Sequence, residues 1–223
     1  MRFHDRRAAG RELAALLVER LREERLRAPF VLALPRGGVP VADEVARALG
    51  APLDVVVARK IGAPFNPELG VGALAGEDPP LYDARTMAML DLTADRLGAQ
   101  VAAERTELHR REDLYRGKRP APALHNRTAV VVDDGLATGV TARAAVRAVR
   151  GMDPAEIVLA VPVCATEPAA VLRAEVDDLV CLYTPEAFHS VGQWYEDFGQ
   201  VGDEEVIGIL RAAASAGPPA SAR

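Results

Sequence analysis

Cysteine is nearly absent: Cys164 and Cys181 are the two in 223 residues, and both lie in apolar, strand-like runs. Buried, reduced thiols fit that placement better than a disulfide framework, so the sequence predicts a cytoplasmic chain. Aromatic residues make up 4% of the chain, with a single tryptophan. No apolar run approaches the roughly 20 residues that a membrane span requires, and the start, Met1-Arg-Phe-His-Asp-Arg-Arg7, leads into a charged amphipathic stretch instead of an apolar signal core. Neither sign of charge dominates. Lys plus Arg number 27 against 32 for Asp plus Glu, a net charge of −5, so neither nucleic acid nor an acidic membrane is expected as a partner. His4, His109, His125 and His189 are scattered without the spacing of a zinc site.

What the chain does have is apolar content, 49% hydrophobic against 26% charged, which excludes disorder and supports one sizeable core. Residues 5–27 read as an amphipathic helix, with Leu13, Leu16, Leu17 and Leu21 on one side and Asp5 as its N-cap. Strand-like runs follow at 30–34, 53–58, 128–132, 157–163 and 179–183. Helical patterns fall at 41–49, 86–116 with an interruption near 91–93, 142–150, 167–174 and 203–214. This alternation predicts an α/β fold with an open, mostly parallel sheet covered by helices on both faces. The Gly- and Pro-rich stretch 61–80 is expected to be a mobile excursion or small hairpin, 184–214 a closing hood, and 215–223 a fraying tail, all within one domain over 1–214.

Ligands of such sheets sit beyond the carboxyl ends of the strands, and three polar turns are predicted there: Pro35-Arg36-Gly37-Gly38, Arg59-Lys60, and Asp133-Asp134-Gly135-Leu-Ala137-Thr138-Gly139-Val140-Thr141. The last combines a paired carboxylate with a short turn opening a helix, where backbone N–H groups favour a phosphate and the two threonines add hydroxyl donors. The carboxylates suit sugar hydroxyls or a divalent cation. Phosphate plus diol indicates a sugar phosphate. A receiver-type acidic cluster and a simple helix cap remain open as readings of Asp133-Asp134 alone, though neither explains the Ala-Thr-Gly-Val-Thr turn.

The run Val130-Val-Val-Asp133-Asp134-Gly-Leu-Ala-Thr138-Gly139-Val-Thr141 resembles the phosphoribosyl pyrophosphate signature of type I phosphoribosyltransferases. The resemblance covers roughly residues 30–183. It implies that Asp133 and Asp134 hold the ribose hydroxyls and that Ala137, Thr138, Gly139, Val140 and Thr141 wrap the 5-phosphate. Arg36, Gly37 and Gly38 look like the pyrophosphate loop, with Arg59 and Lys60 placed where that family carries basic residues before its flexible loop. The segment Phe188 to Phe198, with Asp203-Glu204-Glu205-Val206, also looks like an uncharacterised bacterial branch of the family, which supplies no substrate.

The function so implied is transfer of the 5-phosphoribosyl group from phosphoribosyl pyrophosphate to a small, nitrogenous acceptor, with Asp133, Asp134, Arg36 and Lys60 as the catalytic set. The expected cofactor is Mg²⁺, met by Asp133 and Asp134 indirectly, through ribose hydroxyls or water. Ala137 stands where hypoxanthine-guanine members carry an acidic residue, which disfavours a 6-oxopurine. Phe188, Trp194, Tyr195 and Phe198, four aromatics within eleven residues, read as core packing or, for the first three, as a stacking wall for the acceptor. A protein that binds phosphoribosyl pyrophosphate without turnover, as a sensor or regulator, is the alternative, and the sequence leaves a homo-oligomer open.

Overall fold

A computed structural model describes residues 2–23, 27–117 and 119–216. Its elements run, in chain order, α1 (Arg6–Glu23), β1 (Phe30–Ala33), α2 (Gly38–Leu49), β2 (Leu53–Val55), β3 (Ala58–Ala63), β4 (Asn66–Ala75), β5 (Leu81–Tyr82), α3 (Ala84–Met89), α4 (Gly98–Arg116), β6 (Thr128–Val132), α5 (Val140–Arg150), β7 (Glu156–Val163), α6 (Thr166–Arg173), β8 (Asp178–Tyr183) and α7 (Asp203–Ala216). One-turn 3₁₀ segments occupy Ala94–Leu97 and Val191–Trp194. Asp5 caps α1 as predicted, its Oδ1 accepting from the Ala8 N–H at 2.7 Å.

Five strands form one sheet in the order β2-β1-β6-β7-β8, and every pairing in it is parallel. The strands are short, β-branched runs because both faces are covered. Alternate residues divide between two cores: Val31, Ala33, Val130, Val132, Val158 and Val180 pack with α1, α2, α4 and α7 on one side. Leu32, Leu34, Ala129, Val131, Leu159 and Leu179 pack with α5 and α6 on the other. The predicted open sheet with helices on both faces is therefore the observed one.

The predicted strand 53–58 divides. Three residues enter the parallel sheet, and from Ala58 the chain starts a separate antiparallel sheet of order β3-β4-β5. Arg59-Lys60 thus lies inside a hairpin strand, not at the carboxyl end of a parallel one. The 61–80 excursion takes the form of that hairpin. Its tip is Pro64-Phe65, with Phe65 65% exposed, while Ile61, Val71 and Leu74 along its strands, and Ala63 directly beside the tip, are buried in the core shared with α4. Helix α7 continues two residues into the expected tail, to Ala216; the remaining tail residues, 217–223, lie outside the described ones. Among the described residues, no helix is long and apolar enough to cross a membrane.

Cys164 is buried and Cys181 half-buried, both free thiols. Burial pushes the Cys164 thiol up to about 12 and raises that of Cys181 as well, which leaves neither poised as a nucleophile.

Candidate active site

Strand order places the site. β1 is paired on one side with β2 and on the other with β6, so the direction of winding reverses between β1 and β6, and it is beyond the carboxyl ends at such a point that these sheets take their ligands. Ala33 is in register with Val132. The turns that follow these two strands, far apart in sequence, emerge side by side.

Contact between them is close. The Pro35–Arg36 peptide is cis, and Gly37 follows with ordinary helical dihedrals, φ −60° and ψ −36°. A Cβ on Gly37 would lie 2.0 Å from Asp134 Oδ2, and one on Gly38 2.7 Å from the Val132 carbonyl oxygen and 3.0 Å from Asp133 Cα. Glycine is required here for space and not for dihedral freedom: the loop backbone rests on the acidic pair. Beyond the pair, Leu136 is stitched to the sheet by its N–H donating to the Val163 carbonyl at 2.9 Å. Gly139, at φ 71°, then turns the chain into α5. Ala137 and Thr138 are exposed at that turn, and the start of α5 offers unpaired N–H groups to an anion. The turn borders a cleft of about 650 Å³, whose walls include Thr86, Arg143, Leu172, Phe188 and His189.

The acidic pair is crowded. The Asp134 N–H donates to Asp133 Oδ1 at 2.8 Å. Burial, followed by the neighbouring charge of Asp134, pushes the Asp133 carboxyl well above the usual carboxylate range. Burial also raises Asp134, but the Arg6 guanidinium opposes it, with Nε donating to Asp134 Oδ2 at 2.8 Å. The Tyr195 hydroxyl donates to the Asp134 carbonyl at 2.6 Å, and the Tyr195 side chain is itself driven up in pKa by burial.

Not every predicted residue joins this group. Arg36 stands 3.7 Å from Asp203, the first residue of α7. Arg59, in the hairpin sheet, faces α4, its Nε donating to Glu104 Oε2 at 2.7 Å. Lys60 is exposed on the same strand and its aliphatic stem lies over Gly70. Of the aromatics, Phe188 and Trp194 stack at 6.5 Å and 22°, and the Trp194 indole N–H is buried with no acceptor among the described residues. Tyr195 differs from its predicted place on an acceptor wall. At 4% exposure its ring packs between Phe3 and Phe198, with centroids at 5.4 and 5.0 Å. It presents no open face to a flat ligand.

Three residues that touch the site escaped sequence reasoning: Arg6, Tyr115 and Asp203. Tyr115 donates its hydroxyl to Asp203 Oδ1 at 2.5 Å, and its pKa is pushed up to about 12 by burial and by that bond. No local pattern marks any of the three, because each acts across more than 80 residues of chain.

A divalent cation can be tested against the donor set. Among the described residues no group of three or more His, Cys, Asp or Glu side chains converges, so a cage built by the protein alone is absent there. The adjacent acids Asp133 and Asp134, joined by the Asp134 N–H on Asp133 Oδ1, would meet a hard cation only if most of its oxygens came from a ligand or water.

A family model of the phosphoribosyl transferase domain matches residues 2–197. Two Mycobacterium tuberculosis proteins, MT0597 and Rv0571c, each provisionally named a phosphoribosyl transferase, are 43% identical over 211 residues. The alignment takes in 95% of this chain but 47% of theirs, so the chain spans about half the length of the curated relatives it matches. The crystal structure of TT1426 from Thermus thermophilus is 44% identical with a TM-score of 0.77, over 94% of this chain and 98% of that one. The Aquifex aeolicus protein AQ2163, at 11% identity and a TM-score of 0.51 over 84% of this chain and 78% of its own, shares the fold alone. With the family matched over nearly its whole length, and with a glycine loop seated on twin acids at the reversal point of a parallel sheet, the chain belongs to the phosphoribosyl transferase domain family.

Proposed function

We propose that the protein transfers the 5-phosphoribosyl group of phosphoribosyl pyrophosphate to a nitrogenous small-molecule acceptor, releasing pyrophosphate. The observation that carries this reading is the seating of Gly37-Gly38 directly on Asp133-Asp134, next to the 137–141 turn that opens α5. One arrangement then offers a place for the leaving group, the sugar diol and the sugar phosphate in sequence.

The reaction separates charge at the anomeric carbon, so the protein's task is electrostatic. The Ala137–Thr141 turn holds the 5-phosphate with backbone N–H groups and the hydroxyls of Thr138 and Thr141. Asp133 and Asp134 accept hydrogen bonds from the ribose hydroxyls and orient the ring as positive charge develops on it. Arg36 and the Gly37 amide receive the departing pyrophosphate, the expected Gly38 N–H being taken up by the Leu34 carbonyl at 3.0 Å and Arg59 by Glu104, and Lys60 adds positive charge from the hairpin. Asp133 and Asp134 would hold Mg²⁺ indirectly, through ribose hydroxyls or water, and the cation would supply charge neutralisation for the leaving group. The exposed hairpin tip at Pro64-Phe65 is assigned to shielding the site from water, the strands behind it being held in the core. Phe188, which lines the cleft and stacks on Trp194, is assigned with it to the acceptor. Ala137 in the phosphate turn weighs against a 6-oxopurine acceptor.

A sensor that binds phosphoribosyl pyrophosphate without turnover is favoured by one observation: Asp134 and Arg36 already have intramolecular partners, Arg6 and Asp203. Titration calorimetry with phosphoribosyl pyrophosphate, with and without Mg²⁺, tests the shared claim, and absence of binding overturns both readings. Pyrophosphate release across a panel of bases and amides then separates them. Release with one acceptor class establishes the transferase; binding with no release across the panel establishes the sensor.

A further inference from the structure

The first residues of the chain and the segment after β8 are joined. The Phe3 N–H donates to the Trp194 carbonyl at 2.8 Å, and the Glu196 and Asp197 N–H groups donate back to the carbonyls of Phe3 and His4, each at 2.8 Å. This short clasp sets the start of α1 beside the acidic pair, and Arg6, the first residue of that helix, reaches through it. Its Nε donates to Asp134 Oδ2 at 2.8 Å and its Nη1 to the Gly199 carbonyl at 2.7 Å. The guanidinium lies 3.9 Å from the centre of the Phe198 ring, a cation–π contact, and only 12% of the side chain is exposed.

We infer that Arg6 is a positioning residue for the ribose-holding carboxylates, a role that rests on the transferase reading above. Three constraints meet at Asp134: the guanidinium on its Oδ2, the Tyr195 hydroxyl on its carbonyl, and the Gly37 backbone packed close to that same Oδ2. A short carboxylate so confined loses little freedom when a diol binds, and the cation beside it offsets the repulsion of two adjacent acids. Lysine could replace the charge. It could not reproduce both the flat contact on Phe198 and the pair of directed bonds to Asp134 and Gly199. The same geometry admits an opposite role, in which Arg6 occupies Asp134 in place of substrate and must leave before the diol can bind. The two roles predict effects of opposite sign.

The test uses the full chain and its Arg6→Ala, Arg6→Lys and Phe198→Leu variants, with thermal melting recorded for each. Phosphoribosyl pyrophosphate is titrated in the presence of Mg²⁺, and steady-state pyrophosphate release is measured with whichever acceptor the parent uses. Positioning predicts that Arg6→Ala weakens binding of the sugar pyrophosphate at least tenfold and lowers kcat, while KM for the acceptor stays within twofold. Arg6→Lys should recover part of the loss, and Phe198→Leu, which keeps the charge but removes the ring beneath it, should show a smaller loss in the same direction. Tighter binding by Arg6→Ala, or binding equal to the parent's, overturns the inference while leaving the transferase reading in place. So does a loss that tracks melting temperature alone across the three variants. Failure of the parent itself to bind phosphoribosyl pyrophosphate removes the transferase reading and this inference together.

Discussion

The Arg36 guanidinium lies 3.7 Å from the carboxylate of Asp203, and the Tyr115 hydroxyl donates to that same carboxylate at 2.5 Å. The cation proposed to receive pyrophosphate is thus parked against an acid on α7, which is itself anchored to α4. An anion entering the loop has to compete with Asp203 for Arg36. Replacing Asp203 with asparagine removes the competing charge and keeps a partner for Tyr115. Asp203→Asn should tighten pyrophosphate binding by about 1.5- to fivefold, the range for a partly exposed pair. Calorimetry with inorganic pyrophosphate checks this, and weaker binding would show that Asp203 aims Arg36 instead of restraining it.

Gly37→Ala asks for a Cβ at 2.0 Å from Asp134 Oδ2, a carboxylate that Arg6 prevents from swinging away. Backbone dihedrals do not forbid alanine here, so the cost is concentrated in the contact between loop and acid. The expected result is loss of phosphoribosyl pyrophosphate binding by tenfold or more with a drop of only a few degrees in melting temperature. Gly38→Ala presses on the Val132 carbonyl, part of the sheet backbone, and should cost more stability, about 1–3 kcal/mol. Denaturant titration of the two variants distinguishes the cases.

Asp133 is a desolvated carboxylate beside a second one. Asp133→Asn keeps the shape and removes the crowding of charge, so the ligand-free protein should melt at a higher temperature than the parent at pH 7. The same change, together with Asp134→Asn, should reduce pyrophosphate release at least a hundredfold. A variant that is more stable and inactive would mark this pair as strain retained for function. A variant that is less stable would assign it to the architecture instead.

On α4, Glu107 is held down to about 2 by the guanidinium groups of Arg110 and then Arg111. A carboxyl whose folded value is depressed contributes stability above its unfolded value near 4.5, and that contribution is lost as the pH falls towards 2. Because the pairs lie at the surface, the contribution is under about 1 kcal/mol. Glu107→Gln should therefore lower stability slightly at pH 7, and the difference from the parent should vanish between pH 4.5 and 2. Urea unfolding at several pH values measures it.

The parallel sheet was legible because each of its strands is a local event: a run of Val, Leu, Ile and Ala closed by a polar turn. The 137–141 turn and its acids were legible for the same reason, since the chemistry lies within nine consecutive residues. The end of β2 was not. Val56 and Val57 continue the apolar run, and only the sheet assembly determines that pairing with β1 stops at Val55. Arg59 reads as a cation at a strand end, yet its position opposite Glu104 depends on how α4 crosses the hairpin. The aromatic cluster shows the limit most plainly. Composition reveals a concentration of rings near residue 195, but Phe3, nearly two hundred positions away, is what buries Tyr195 and turns its hydroxyl towards Asp134.

The clasp between Phe3 and Trp194 also bears on the order in which the molecule is completed. Its two halves, Phe3 and Trp194, lie 191 positions apart, a long loop whose closure carries a large entropic cost. A nascent chain halted just after β8 would hold all five parallel strands and both glycine and acid turns, yet Asp134 would lack the tyrosine and the Phe198 platform that complete its setting. Pairing of the parallel strands and completion of the surroundings of Asp134 thus draw on different segments, the second on residues 194–199.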